Sequence, residues 1–256
     1  MVRYFDTHAH YDDKRFASDR DRLLESLPEK GVKLLLNPGS NMRSSRASVA
    51  LAEKYPFIYA AAGVHPHDAA GFGGGHAAEL KKMAANPKVM AIGEIGLDYY
   101  RNLSPRAEQI GCFERQLALA EELKMPVIIH DRDAHEDTLS ILRGFKLKGV
   151  VYHCYSGSLE YAKILLGLGW HISFTGAITF KNARHSIETI KYMPLDRLMI
   201  ETDAPYLAPH PYRGERCDSA FLPLISEAAA RARGIPAAEL AEAAFVNGVG
   251  FFGIPL

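Results

Sequence analysis

Val2-Arg3-Tyr4-Phe5-Asp6-Thr7-His8-Ala9-His10 reads as a short strand ending in two histidines one residue apart. Successive side chains on a strand point to opposite faces, so His8 and His10 are expected to point the same way. Two imidazoles side by side at a strand end suit a divalent metal, since neutral imidazole ligates zinc, nickel, iron and related ions. Two surface histidines just past a strand would look the same in isolation. Further ligands at other strand ends decide between these readings.

Outward from this stretch the chain repeats one cadence: apolar strand, loop, helix. Strands are expected at Val2–Phe5, Val32–Leu36, Ile58–Val64, Val89–Ile95, Val127–Ile129, Val150–Tyr152, His171–Phe174 and Leu198–Ile200. Their nearly continuous apolar character marks strands buried on both faces of a parallel sheet. Helical patterns lie between them. Ser104 before Pro105 reads as an N-cap with proline at the first helical position, and Met125-Pro126 ends that helix. Ser158 is expected to cap a helix stopped by Gly169. Arg43–Lys54, Ala77–Ala85, Glu136–Leu142, Ala183–Tyr192 and Leu222–Arg233 supply most of the others. Eight strands, each followed by a helix, fit an α/β (β/α)8 TIM barrel filling residues 1–256 as a single domain. A doubly wound open sheet is the alternative, but no glycine-rich phosphate turn follows the first strand.

Composition narrows the function classes. Hydrophobic residues at 48% and charged residues at 23% describe an ordinary globular protein with a substantial core. Thirty basic and thirty acidic side chains cancel, so no global basic footprint for backbone-driven DNA binding is present. Cys112, Cys154 and Cys217 form no CxxC pair and leave an odd one, which argues against a disulfide framework. Gly71-Phe72-Gly73-Gly74-Gly75 reads as a surface loop. With no apolar run of bilayer length and no signal-like start, a cytoplasmic protein without a membrane partner is expected.

Barrel active sites lie at the carboxyl ends of the strands. Six candidate ligands fall there: His8, His10, Glu94, His130, His153 and Asp203. Each alone has a dull explanation, such as a paired carboxylate or a strand-closing histidine. Four histidines and two carboxylates at one face are explained together by a metal centre. Six ligands exceed the need of one tetrahedral ion. In the simplest division His8, His10 and Asp203 hold one ion, His130 and His153 a second, and Glu94 bridges them. Paired ions about 3.5–4 Å apart clamp the attacking and leaving oxygens of a displacement and lower the pKa of water to about 7. Asp203 then orients that water or takes its proton, with Glu94 the other catalytic carboxylate. The chemistry expected is hydrolysis.

The segments Asp6-Thr7-His8-Ala9-His10, Gly63-Val64-His65-Pro66-His67, Gly93-Glu94-Ile95-Gly96-Leu97-Asp98-Tyr99-Tyr100, Pro126-Val127-Ile128-Ile129-His130, His153-Cys154-Tyr155-Ser156-Gly157-Ser158 and Glu201-Thr202-Asp203-Ala204-Pro205-Tyr206-Leu207 together resemble the TatD family of metal-dependent deoxyribonucleases. The resemblance implies a metal-dependent barrel that cleaves phosphodiesters as a DNase or 3′–5′ exonuclease, and the same ligand set. Two stretches depart from the family pattern. Arg213-Gly214-Glu215-Arg216-Cys217-Asp218-Ser219 replaces the usual asparagine, glutamate and proline, and Asn247-Gly248-Val249-Gly250-Phe251-Phe252-Gly253 alters the C-terminal motif. Neither touches a ligand, and the first bears on substrate preference.

DNA or oligonucleotide ends are the expected substrate, with two divalent ions (Mg, Mn, Zn or Ni) and no organic cofactor. Imidazole-rich sites favour zinc, nickel or manganese, whereas the family is usually assayed with magnesium. His65, at the end of the third strand, is expected by resemblance to contact the scissile phosphate, or else to orient a ligand. Glu201 either orients Asp203 or pairs with a cation. Arg132 and Arg213 suit bidentate phosphate contacts, with a loop ion pair the alternative for Arg213. Tyr99, Tyr100 and Tyr206 offer rings for base stacking, or merely cover the barrel mouth. His67 and Asp68 read as solvated or capping, Cys154 as core packing and Cys217 as a loop thiol. Two competing functions stand beside the nuclease. One is an amidohydrolase-type enzyme cleaving an ester, lactone or amide, although such enzymes often carry a carbamylated lysine where Glu94 stands. The other is a scaffold that retains metals, which would not require six ligands.

Overall fold

The computed structural model describes residues 2–255. The fold is an α/β barrel of eight parallel strands with interleaved helices. The strands are β1 (Tyr4–Asp6), β2 (Val32–Pro38), β3 (Ile58–Ala62), β4 (Val89–Asp98), β5 (Val127–Arg132), β6 (Val150–Tyr152), β7 (His171–Phe174) and β8 (Leu198–Ile200), in that order in one sheet. The helices are α1 (Arg20–Ser26), α2 (Met42–Lys54), α3 (His76–Ala84), α4 (Arg106–Leu123), α5 (His135–Leu142), α6 (Leu159–Gly167), α7 (Arg184–Tyr192), α8 (Leu222–Arg233) and α9 (Ala237–Phe252). Every expected strand is present. β4 runs three residues further than its apolar run because Gly96, at φ +145°, lies flat against the His130 carbonyl, where a Cβ would collide. Leu97 and Asp98 then continue in register with Asp131 and Arg132 of β5.

The chain falls into two compact units, a terminal one of residues up to Asn37 and from His153 onward, and a central one of Pro38–Tyr152. In the terminal unit β1 pairs with β2 and β7 with β8, all parallel. A further parallel bridge, Ala9 to Ala204, joins the continuations of β1 and β8. Phe5 packs its ring on Phe245 and Phe252 of α9, centroids 6.5 and 5.9 Å away. Gly248 permits that approach, since a Cβ there would come within 2.6 Å of the Phe5 ring. Asn247 Nδ2 donates to the Leu195 and Leu198 carbonyls at 2.7 and 2.8 Å, fixing α9 to the start of β8. The altered C-terminal motif is therefore a packing device.

In the central unit β3 to β6 pair successively in parallel. Gly63 faces the Gly93 backbone, 2.8 Å from where its Cβ would lie, so neither side chain intervenes. The expected Ser104 cap is displaced by one residue. α4 begins at Arg106 with Pro105 as its cap residue, and Ser104 turns inward, donating to the His67 carbonyl and accepting from the Ala70 N–H. Its hydroxyl thus ties down the turn that carries His65 and His67. Ser158 caps α6 as expected, accepting from the Tyr161 N–H.

Candidate functional site

In the terminal unit β1 leads into His8 and His10, and the turn after β8 carries Asp203. The Nε2 atoms of His8 and His10 lie 3.1 Å apart. Asp203 Oδ1 is 3.5 Å from His10 Nε2 and 4.0 Å from His8 Nε2. Two imidazole nitrogens and a carboxylate oxygen therefore converge on one point. The buried His8 ring lies parallel to His153, centroids 4.0 Å apart and planes 13° apart. His8, His153 and Glu201 form a buried group whose donor atoms all lie within 4.8 Å of one another. Neutral nitrogens beside carboxylate oxygens are the donor chemistry of a first-row divalent ion, so the residues fit one.

Backbone geometry holds this cluster. Asp203 is left-handed (φ +55°), a conformation aspartate tolerates better than most residues. Its N–H donates to the His8 carbonyl at 2.9 Å, and its own carbonyl accepts from the Tyr206 N–H at 2.9 Å. Asp6, with no exposed surface, accepts from the Thr202 N–H (2.9 Å), the Thr202 hydroxyl (2.6 Å) and the Ser219 hydroxyl (2.6 Å). Burial pushes the Asp6 carboxyl up to about 7 against the pull of those hydrogen bonds. Burial also raises Asp203, but donation from His10 and the nearby His153 and His8 rings leave it below the usual carboxylate range. Glu201 serves His153: its Oε1 is 3.2 Å from His153 Nδ1 and accepts the Cys154 N–H at 2.7 Å. A carboxylate at Nδ1 places the imidazole proton there and leaves the lone pair on Nε2.

In the central unit Glu94 is buried at the middle of β4 and His130 lies on β5. His130 Nδ1 is 2.9 Å from Glu94 Oε1, and His65 Nε2 is 3.4 Å from the same oxygen. His65, Glu94 and His130 form a second group with donor atoms within 4.8 Å. The three do not play equal parts. His65 Nδ1 accepts the His67 N–H at 3.1 Å, so the neutral ring carries its proton on Nε2. Burial, with His130 adding, holds the His65 pKa down to about 3. His65 thus presents an N–H donor rather than a ligand lone pair. Two residues were not singled out from sequence as part of this group. Asp98 lies 3.2 Å from His130 Nε2 and 2.8 Å from His67 Nε2, so His67 is turned onto a carboxylate rather than solvated. The signal for both was the alternation of β4 and the spacing of His65 and His67.

The expected substrate contacts are mostly halves of stacked pairs. Arg132 lies 4.1 Å over the Tyr100 ring, and Arg213 lies 4.3 Å over Phe180. Arg106 lies 4.0 Å over Tyr99, whose hydroxyl donates to Asp137 at 2.6 Å. Tyr206, 47% exposed, lies under Arg15 at 4.0 Å, and Tyr100 is 63% exposed. In the divergent loop Arg216 makes a bidentate pair with Asp19, both contacts 2.7 Å. Cys217 and Ser219 are buried, and Asp218 caps the turn Ser219–Phe221. Two of the three departures thus sit in the scaffold behind Asp6 and Thr202.

Comparison with known proteins agrees with this chemistry. The family described as TatD related DNase matches residues 5–253. An uncharacterized metal-dependent hydrolase, YabD of Bacillus subtilis, is 38% identical over 252 residues, covering 98% of this chain and 99% of its own. A 3′-5′ ssDNA/RNA exonuclease, TatD of Erwinia tasmaniensis, is 39% identical over 251 residues, covering 95% and 97%. The crystal structure of YJJV, a TatD homolog from Escherichia coli, superposes with a TM-score of 0.93 at 31% identity, covering 99% of each chain.

Proposed function

The chain belongs to the TatD-related DNase family, and from that premise we propose that it shortens single-stranded DNA from the 3′ end by hydrolysing phosphodiesters. A metal-dependent hydrolase is what family membership itself makes it. The observation that carries the reading is the convergence of His8 Nε2, His10 Nε2 and Asp203 Oδ1 within 3.1–4.0 Å. In this reading His8, His10 and Asp203 hold one divalent ion, His130 and His153 hold a second, and Glu94 serves both. The warrant for pairing them is the rule that barrel sites gather at successive strand ends. Bound ions of this kind polarise a phosphoryl oxygen and ready a water for attack.

The side chains have separate tasks. One oxygen of Asp203 faces the histidines, and the carboxylate orients the attacking water and takes its proton. His65, neutral with its proton on Nε2, donates to a non-bridging phosphate oxygen as charge develops there. Tyr206 and Tyr100 offer exposed rings to bases, and Arg132 and Arg213 offer guanidinium groups to flanking phosphates. A metal-by-substrate screen tests the assignment. Purified protein is stripped of metal, reloaded with manganese, zinc, nickel or magnesium, and offered oligonucleotides, a lactone and an amide. Hydrolysis of oligonucleotides that disappears in Asp203→Asn supports the nuclease. Intact oligonucleotides beside a cleaved lactone or amide overturn it in favour of amidohydrolase-type chemistry.

A further inference from the structure

The two segments that carry the first cluster of the terminal unit each make one further turn and then meet. Past His10 the Asp13 N–H returns to the His10 carbonyl at 3.1 Å, and past Asp203 the Tyr206 N–H returns to the Asp203 carbonyl at 2.9 Å. Two residues beyond the first of these turns, Arg15 lays its guanidinium 4.0 Å over the Tyr206 ring. The short helical turn that holds Arg15, Lys14–Phe16, is itself fixed. Phe16 is buried and stacked on Tyr11, centroids 4.6 Å apart, and Arg216 Nη1 donates to the Arg15 carbonyl at 2.8 Å.

The Arg15 side chain is pinned as well. Asp13 Oδ1 accepts from its backbone N–H at 2.7 Å and from Nε at 3.1 Å, and Asp13 Oδ2 accepts from Nη2 at 3.3 Å. A guanidinium carries five N–H donors, of which Asp13 takes two, so three are left. The side chain is still 40% exposed. Because its rotamer is already held, a second anion reaches it at less cost in entropy. Asp13 offsets its charge, so the fork offers directed hydrogen bonds rather than long-range attraction, and a phosphodiester matches that geometry.

We propose that Arg15 is a further substrate-binding residue that takes one non-scissile phosphodiester of the strand whose end lies at His8, His10 and Asp203. The proposal rests on the reading of the chain as an exonuclease. Arg15 covers one face of Tyr206 and leaves the other for a base, so ring and fork hold the strand at two points beside the cluster.

Methylphosphonate scanning tests this. Single-stranded oligonucleotides carry one uncharged methylphosphonate, moved linkage by linkage inward from the scissile one. Release of the first 3′ nucleotide is followed with the manganese-loaded protein. In the wild type, neutralising one particular linkage is expected to raise KM about 10- to 100-fold with kcat nearly unchanged. Arg15→Gln keeps a planar amide to cover Tyr206 but loses the fork. Its KM for the natural strand is expected to rise by a similar factor, and the penalty at that one linkage to be lost. Arg15→Ala is expected to behave the same way should the amide disturb the turn. A wild type indifferent to neutralisation at every inner linkage overturns the proposal, and that result needs no variant. So do variants that keep the wild-type KM, or that keep the penalty at the same linkage; Arg15 then only covers Tyr206. If the natural strand is not cut by the wild type, the exonuclease reading itself has failed, and the proposal falls with it.

Discussion

At the scale of single residues, the two histidines just past β1 and the two in the turn that follows β3 do opposite things with similar spacing. His8 and His10 bring two Nε2 atoms to 3.1 Å. His65 spends its Nδ1 on the His67 N–H and becomes a donor, while His67 turns away to Asp98. Replacing His65 by Gln shortens and misplaces that donor, and kcat for oligonucleotide hydrolysis is expected to fall about 10²- to 10³-fold. Metal stoichiometry, measured by elemental analysis, is expected to stay unchanged; loss of an ion would make His65 a ligand instead. Asp203→Asn is expected to lower kcat by about 10²- to 10⁴-fold, read in steady-state kinetics at saturating metal. The left-handed backbone at residue 203 accommodates asparagine as readily as aspartate, so circular dichroism should show a folded variant.

At the scale of elements, acid sensitivity is expected to come partly from the foot of β7. Burial, with Arg197 adding, pushes His171 down to about 4, and its ring lies edge-on to Phe251 at 5.0 Å. In the unfolded chain the group titrates near about 6.5. Between those values the unfolded state binds the extra proton, so stability falls as pH drops through the window. His171→Gln is expected to lose less stability than the wild type between neutral pH and about pH 5, by on the order of 1 kcal/mol in denaturant unfolding. An equal loss would assign the acid sensitivity to other groups. The strands were legible in sequence because parallel strands buried on both faces read as unbroken apolar runs. Three strand spans, Val150–Tyr152, His171–Phe174 and Leu198–Ile200, coincide with the expected ones. The continuation of β4 was not legible, because Gly96 looks like a terminator until the His130 carbonyl is seen beneath it. Ser104 looked like a cap for the same kind of reason: its partners lie on a distant turn. All six expected ligands were visible as chemistry, whereas Asp98 and Glu201, the carboxylates behind the histidines, differ from any paired acid only in what they touch.

At the scale of the whole molecule, thirty acidic and thirty basic side chains leave little long-range attraction for a polyanion, so recognition rests on the site and its rim. Among the described residues no helix is long and apolar enough to cross a membrane. Ions that bind the folded chain and not the unfolded one raise its stability by about 2.7 kcal/mol per site at a hundredfold excess over Kd. Chelation is therefore expected to lower the Tm and manganese or zinc to restore it, with calorimetry as the measurement. A Tm indifferent to both would deny the clusters their ions. The measurement that bears most directly on the central claim is digestion of a single-stranded oligonucleotide labelled at its 5′ end by the metal-loaded protein. The account predicts a ladder of products shortened stepwise from the 3′ end, abolished by chelator and by Asp203→Asn. An oligonucleotide that stays intact with every divalent ion tried, or a ladder that persists in Asp203→Asn, would contradict it.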